Sequence, residues 1–348
     1  MLEKFKDQLA RSEHLTDEQV AIAVARLADE TVSAESKADF LCELARKAET
    51  PQEIAAFARE LRELSVQPPL DPETRAREIL DVCGTGGDRL NTFNISSTVA
   101  IVCASAGVTV AKHGNRAITS QAGSADVFEA MGIKIELTPQ EAARWLRDHH
   151  FAFFFAPAYH PAFKHINGAR KLCAERGQRT IFNFLGPLLN PARPSVQLVG
   201  VSRPELCETL ARVLQMLGVR RGMVVSGRAG DAWLDEISTL GDNSVAEFHQ
   251  ERGFAASTLA PGHYPVQPAG LADLRGGDRA TNAGIVQALL AGKDKGPRRD
   301  AVLLNAGAAL FVAGKAKSIS EGWDLARGLI ESGRTRAKLE ELIAAGRA

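Results

Sequence analysis

Apolar positions change their spacing along this chain, and the changes divide it. Over residues 1 to about 65 they recur at helical intervals, as in Ile54, Phe57, Leu61 and Leu64. Thr16-Asp-Glu-Gln19 and Thr50-Pro51-Gln-Glu53 are capping-box patterns: the threonine hydroxyl takes an N–H of the first turn, and the Gln or Glu three residues on reaches back to the threonine N–H. Pro51 stands where the first helical N–H has no partner to lose. A small all-helical unit is expected here. Gln67-Pro-Pro-Leu-Asp-Pro72 then interrupts the period with three prolines, which favours a linker. From about residue 76, short apolar runs alternate with helical patterns. Strands are expected at 78–83, 108–111, 151–156, 197–201 and 222–226, and helices near 96–106, 123–131, 139–148 and 203–217, with Thr138-Pro-Gln-Glu141 capping the third. Such alternation predicts an α/β domain with a mainly parallel central sheet flanked by helices on both faces. A less regular stretch at 240–280 suits an edge hairpin, and helical spacing returns at 281–291, 298–313, 319–331 and 335–345. The fold class expected is therefore α/β, with a small all-helical N-terminal domain over 1–70 and a large α/β domain over 71–348.

Composition adds mainly exclusions. At 348 residues, 45% hydrophobic and 24% charged, the chain is ordinary soluble globular material with room for more than one domain. Lysine plus arginine equals aspartate plus glutamate at 42 each, so no global field attracts nucleic acid or a membrane surface, and any phosphate site must make its positive potential locally. The five cysteines are odd in number and form no C-x-x-C pair; they read as reduced core thiols of a cytoplasmic protein. Met1-Leu-Glu-Lys-Phe-Lys-Asp carries no apolar signal core, and no apolar run is long enough for a bilayer.

Chemistry concentrates in glycine-rich connections. The run Ile79-Leu-Asp-Val-Cys83 empties into Gly84-Thr-Gly-Gly-Asp88, followed by Asn91-Thr-Phe-Asn94-Ile-Ser96-Ser97 at the start of an apolar helix. Glycines let backbone approach a ligand, and the unpaired N–H groups and dipole of a helix start attract phosphate oxygens. A second strand ends in Lys112-His-Gly-Asn-Arg116, polar residues that are poor core material unless they form a site. Thr119-Ser-Gln-Ala-Gly123-Ser124-Ala-Asp126 follows as a second small-residue loop. Two such units suit a ligand with more than one phosphate. Asp235-Glu236, flanked by Trp233-Leu234 and Ile237, is the best metal candidate, because adjacent carboxylates in a partly buried segment repel unless a cation or hydrogen bonds hold them.

Cys83-Gly-Thr-Gly-Gly-Asp88, Thr92-Phe-Asn-Ile-Ser96, Lys112-His-Gly-Asn-Arg116, Gly123-Ser-Ala-Asp126, Phe155-Ala-Pro157 with His160-Pro161, Arg179-Thr-Ile-Phe-Asn183, Gly186-Pro-Leu188 with Asn190-Pro191, and Leu234-Asp-Glu-Ile-Ser238 together resemble the motif series of the anthranilate phosphoribosyltransferase family, in that family's order. The resemblance implies transfer of the phosphoribosyl group from phosphoribosyl pyrophosphate to the amine of anthranilate, a step of tryptophan biosynthesis, with Mg2+ as cofactor. It further implies that Gly84, Gly87, Asp88, Thr92, Asn94, Ser96, Ser97, Lys112 and Ser124 bind the donor. Gly84, Asn115, His160 and Arg170 would bind anthranilate, with His113 nearby, and Ser96, Asp235 and Glu236 would bind the metal. Ala156, Pro157, Tyr159 and Gly186-Pro187 are expected to wall an aromatic ring. The segment 164–189 is implied to return to the helical domain, placing the site between the two, and a homodimer through that domain is implied as well. After Arg170, the run Lys171 to Gln178 is longer than the family's usual link.

An arylamine already carries its lone pair, so a nucleophilic serine or cysteine would have no task, and no Gly-x-Ser-x-Gly elbow appears. A nicotinamide fold is disfavoured because Arg89 takes the third glycine position of G-x-G-x-x-G, and an NTPase because Arg228-Ala229 replaces the Lys-Ser/Thr of a P-loop. Arg89 itself is expected to be a solvated surface residue. Two alternatives stand beside the main reading: a non-catalytic nucleic-acid-binding relative on the same scaffold, and a pyrimidine nucleoside phosphorylase-like enzyme.

Overall fold

The computed structural model describes residues 1–117 and 121–347, so Thr119 and Ser120 of the second small-residue loop lie outside the described residues. Helices α1 (Leu2–Ala10), α2 (Asp17–Ala28), α3 (Ala34–Lys47) and α4 (Pro51–Glu63) form the N-terminal unit. Both predicted capping boxes are made, Thr16 with Gln19 and Thr50 with Glu53. Glu53 does more than cap: it takes the Lys47 ammonium at 2.6 Å and the backbone N–H of Leu15 at 2.9 Å, so one buried carboxylate ties three parts of the unit together.

After α5 (Pro72–Ala76) the chain enters β1 (Ile79–Gly84), then α6 (Ile95–Ser105), β2 (Thr109–Gly114), α7 (Ser124–Ala130), α8 (Pro139–His149) and β3 (Phe151–Phe155). A one-turn α9 (Ala156–Tyr159) and α10 (Asn167–Glu175) precede β4 (Val196–Gly200), α11 (Leu206–Met216) and β5 (Arg221–Ala229). Short β6 (Ala232–Leu234) and the hairpin β7 (Asn243–His249) and β8 (Gly253–Leu259) follow, and α12 (Arg279–Leu290), α13 (Pro297–Val312), α14 (Ile319–Glu331) and α15 (Arg334–Ala345) close the chain. Among the described residues these strands form one sheet in the order β3-β2-β1-β4-β5-β7-β8, with β6 paired to β5. The five strands from β3 to β5 are parallel and the hairpin is antiparallel, as the edge expectation had it.

Alternation along the strands builds two cores. Val82, Leu198, Met223 and Val225 face α6 and the C-terminal helices; Cys83, Val199 and Val224 face α11 and the N-terminal unit. Ile166, Ala169 and Cys173, from the start of α10 and the turn before it, pack in that second core with the N-terminal helices, and α10 lies on α3. Because β2 and β3 lie on one side of β1 and β4 on the other, the strand order reverses between β1 and β4. A crevice opens outside the carboxyl ends of strands at such a switch point. The glycine loop after β1 lies there.

Candidate active site

Two adjoining clefts occupy that crevice. One of about 380 Å³ is lined by the glycine loop, the start of α6, Lys112, Ser124 and the pair Asp235-Glu236. The other, of about 550 Å³, is lined by Pro157, His160, Phe163, Arg170, Gly186 and Pro187, among others. Gly84, His113, Asn115, Arg170 and Phe182 border both.

The glycines have distinct tasks. Gly86 and Gly87 take φ of 72° and 82°, a left-handed backbone that glycine adopts without penalty. Arg89 and Asn91 adopt the same region at 59° and 53°, so the loop stores strain at the cleft wall. Gly84 and Gly200 sit side by side on β1 and β4, and a side chain on either would collide with Asp235. The expected reason for Gly84, close approach of a ligand, is thus joined by a nearer one: the Asp235-Glu236 segment lies across the ends of both strands. Gly114 likewise leaves the space that Ser124 Oγ occupies.

Asp235 Oδ2 accepts the Gly86 N–H at 2.7 Å, and Glu236 Oε1 accepts the Ser96 N–H at the start of α6 at 3.2 Å. Both carboxylates open partly onto the cleft, yet the protein around them penalises charge. Burial raises the Asp235 pKa first and Asp88 adds to it; burial and then Asp235 raise that of Glu236, with Lys112 pulling back. Asp88 Oδ2 is buried with no partner among the described residues. Three clustered carboxylates with an orphaned oxygen suit a hard dication, and the all-oxygen donor set suits Mg2+. Among the described residues no three His, Cys, Asp or Glu side chains form a group that could hold a metal ion by themselves.

Lys112 is buried, with Nζ donating to Val82 O at 2.6 Å and Ser96 Oγ at 3.4 Å, and its charge favours the ionised forms of Asp81 and Glu236. Asn94 lines the smaller cleft, but its side chain donates to Ala122 O at 3.3 Å and accepts from Asn282 at 2.9 Å, so it also braces the loop. Thr92 is bridged to Arg275, which straps the same loop from the C-terminal side. Ser97 Oγ is buried, with no partner among the described residues. Arg89 is exposed yet lines the smaller cleft, and Arg179 rests against Gly87, its pKa lowered by burial, Arg203 and Arg89. With Lys112, Arg116 and Arg170 they are the basic residues of that lining. The sequence suggests only a surface place for Arg89 and no donor role for Arg179, although the Arg179-to-Asn183 motif is its signal.

The larger cleft is differently built. Arg170 projects from α10 over the Phe182 ring, 5.7 Å from its centroid, with no hydrogen bond or ion pair to its guanidinium among the described residues. Burial pulls its pKa down. The longer run after it therefore leaves Arg170 facing the cleft. His113 and His160 meet Nε2 to Nε2 at 3.2 Å, and His113 Nδ1 lies 3.2 Å from the Gly186 carbonyl. A carbonyl only accepts, so His113 carries its proton on Nδ1 and His160 donates from Nε2, which leaves His160 Nδ1 bare. Burial, and for His113 the second imidazole, keep both rings neutral, with His160 down to about 4. Asn115 is exposed at the border of the clefts, its backbone O accepting from Ser124 Oγ at 3.4 Å. Ala156, Pro157, Gly186 and Pro187 line the cleft as expected; Tyr159 does not, for its ring packs on Phe154 and its hydroxyl donates to Leu137 O at 3.1 Å in the core.

A family model described as glycosyl transferase family, a/b domain, matches residues 76–336, and one described as glycosyl transferase family, helical bundle domain, matches residues 3–65. The chain is 47% identical over 320 residues to an anthranilate phosphoribosyltransferase of Geobacter sulfurreducens, covering 88% of each. Its structure is similar to that of the Thermus thermophilus anthranilate phosphoribosyltransferase, with a TM-score of 0.89 at 39% identity over 99% of both chains. It is also similar to the Saccharomyces cerevisiae enzyme solved in complex with PRPP and Mg, with a TM-score of 0.87 at 27% identity over 99% of this chain and 98% of that one.

Proposed function

The chain belongs to the anthranilate phosphoribosyltransferase family, and from that premise we propose how its two clefts divide the work. The reaction passes the phosphoribosyl group from phosphoribosyl pyrophosphate to the amine of anthranilate, giving N-(5-phosphoribosyl)anthranilate and diphosphate. The observation that carries the division is that the clefts share Gly84, His113, Asn115 and Arg170 as a common border, so a donor in one presents its ribose carbon to an acceptor in the other. The nucleic-acid-binding and nucleoside phosphorylase alternatives have no comparable support.

On this reading the donor lies along the smaller cleft. Gly84, Gly87, Asp88 and Thr92 line its ribose and diphosphate, while the hydroxyls of Ser96 and Ser97 donate to diphosphate oxygens at the positive end of the α6 dipole, the Ser96 N–H being held by Glu236. Lys112 and Ser124 complete the cradle, Asn94 holds the loop in place, and Arg89 and Arg179 add charge at its mouth. Asp235, Glu236 and Ser96 would hold Mg2+, which supplies charge neutralisation for the diphosphate when bound. Anthranilate lies in the larger cleft with its carboxylate forked by Arg170, its ring between Pro157 and the Gly186-Pro187 turn, and Asn115 and His160 beside it. As the bond from the ribose carbon to the diphosphate oxygen breaks, the oxygen keeps the electron pair, the amine lone pair forms the new bond, and the proton the nitrogen then sheds passes to the departing diphosphate or to water. Neutral His113 and His160 have no acidic proton to give the amine, so its lone pair stays available. The chain contributes positioning and fixed dipoles.

The division into a helical domain over 1–70, a returning segment over 164–189 and a catalytic domain over 71–348 belongs to the same proposal. So does a homodimer through the helical domain, supported by Ile22 on α2 and by Leu64 and Val66 past α4, apolar side chains left exposed. No helix among the described residues is long and apolar enough to cross a membrane, and a cytoplasmic location is in keeping with the five free thiols. The test of function is turnover: anthranilate consumed only in the presence of phosphoribosyl pyrophosphate and Mg2+ supports it, and turnover of a pyrimidine nucleoside with inorganic phosphate instead would overturn it.

A further inference from the structure

One wall of the larger cleft is held by His113, which lines the cleft, and by Arg62, Gln197 and Asn190, which do not. In the turn Gly186-Pro187-Leu188, three consecutive carbonyls each accept from a different element: Gly186 O from His113 Nδ1 at 3.2 Å, Pro187 O from Gln197 Nε2 at 2.9 Å, and Leu188 O from Arg62 Nε at 2.5 Å. Two residues on, Asn190 Nδ2 donates to Asp81 Oδ2 at 2.9 Å and to Ala111 O at 2.7 Å. Asp81 and Gln197 are paired in register on β1 and β4, on the sheet face that the turn covers. The pins thus come from β1, β2, β4 and, through Arg62, from α4 of the N-terminal unit.

Two of these pins are costly. Arg62 is 6% exposed, burial brings its pKa down to about 10, and its Nη2 is buried with no partner among the described residues. Gln197 is fully buried and its Oε1 likewise has none among them. Apolar side chains would remove those two orphaned atoms, at the expense of the donors to the Leu188 and Pro187 carbonyls. What a leucine cannot do is fix the direction of a particular carbonyl. Leu185, Gly186, Pro187 and Leu189 line the larger cleft and none of them lines the smaller one, so whatever fixes this turn shapes only one of the two substrate spaces.

We propose that Arg62 and Gln197 are positioning residues for acceptor recognition. Acting through the Leu188 and Pro187 carbonyls, they set the gap between the Gly186-Pro187 wall and the Arg170 face, and so decide which aromatic amino acid ring fits. The inference rests on reading the larger cleft as the anthranilate site. It also gives the N-terminal unit a part in acceptor choice, because Arg62 carries the position of α4 into the wall.

The experiment is steady-state kinetics with varied anthranilate, varied phosphoribosyl pyrophosphate and one ring-substituted anthranilate, on the full-length protein and on Gln197→Leu, Arg62→Met, Arg62→Lys and the Gln197→Leu/Arg62→Met pair, with the thermal midpoint of each. Gln197→Leu removes its own orphaned oxygen together with the pin, so its fold is expected to survive; if Arg62→Met does not fold, Gln197→Leu decides alone. The expected result is an anthranilate KM raised about tenfold with the donor KM within about twofold, the scale of one lost buried hydrogen bond to a charged or amide donor. Preference should shift toward the substituted ring, and Arg62→Lys, which keeps a donor, should recover part of the loss. The double variant should cost less than the product of the singles, since both hold one turn. Folded variants with an unchanged anthranilate KM, or with donor and acceptor KM raised together, overturn the proposal. Failure of the unsubstituted protein to use anthranilate would instead overturn the functional reading beneath it.

Discussion

Arg170→Ala is expected to raise the KM for anthranilate while leaving the donor KM nearly unchanged. The guanidinium sits over Phe182 at the common border of the clefts and has no acidic partner among the described residues, so its removal strands no protein carboxylate. The loss therefore falls on the acceptor. A charge-assisted fork to a carboxylate in a partly buried cleft is worth about 1.5–3 kcal/mol, which is about tenfold to a hundredfold in kcat/KM. Stability should change little: burial already disfavours this charge, and the contact with Phe182 contributes about 0.5–1 kcal/mol. Arg170→Lys should recover only part of the activity, since a point charge cannot reproduce a planar two-bond fork. The assay is initial rate against anthranilate at saturating donor and Mg2+, then the converse. Near-normal anthranilate kinetics for Arg170→Ala, with a strong acceptor defect in Lys164→Ala at the rim or in Arg179→Ala beside Gly87, would refute the reasoning.

Asp235→Asn with Glu236→Gln should lower turnover by at least about a hundredfold while raising the metal-free thermal midpoint, because it removes metal oxygens and relieves repulsion together; near-normal turnover at limiting Mg2+ would show that the pair does not carry the ion. The folded pKa values of both carboxyls are raised, so the folded state holds their protons longer than the unfolded one, and metal-free stability should be fully present at acid pH and fall as pH rises from the ordinary carboxylate range toward neutrality. Mg2+ with the donor should accordingly raise the thermal midpoint more at pH 8 than at pH 5, and an equal increment at both would contradict this. Gly200→Ala would drive a methyl group into the Asp235 backbone carbonyl and should cost about 1–3 kcal/mol in urea unfolding together with most of the activity, whereas an unchanged unfolding midpoint would mean the segment moves aside freely.

The order of elements was legible because each is encoded locally. Period-2 and period-3.6 spacing, the threonine capping boxes at Thr16, Thr50 and Thr138, and the prolines after residue 67 state their own conformations, and the strands fell within a few residues of expectation. The glycine loop and the Asp235-Glu236 pair were also visible as residue types in unusual company. What could not be read is how distant segments meet. Nothing near Gly200 in the chain announces that Asp235 will lie across it, and nothing near Asn94 names Asn282, 188 residues away. Tyr159 sits two residues from Pro157 in a cleft-lining stretch, yet its ring turned into the core because a hydroxyl partner, the Leu137 carbonyl, waits there. Nothing in the sequence around Arg62 sets it apart, and only the folded chain shows its guanidinium buried against Leu188 O.

The central claim, that one cleft presents a phosphoribosyl donor to an aromatic amine in the other, is tested most directly by the stoichiometry of a single reaction. Diphosphate release and anthranilate consumption are followed together with phosphoribosyl pyrophosphate and Mg2+ supplied. One diphosphate per anthranilate consumed, with neither change when either substrate is omitted or Mg2+ is chelated, is the predicted result. Diphosphate released at the same rate without anthranilate would contradict it, because the two clefts would then not act on one another.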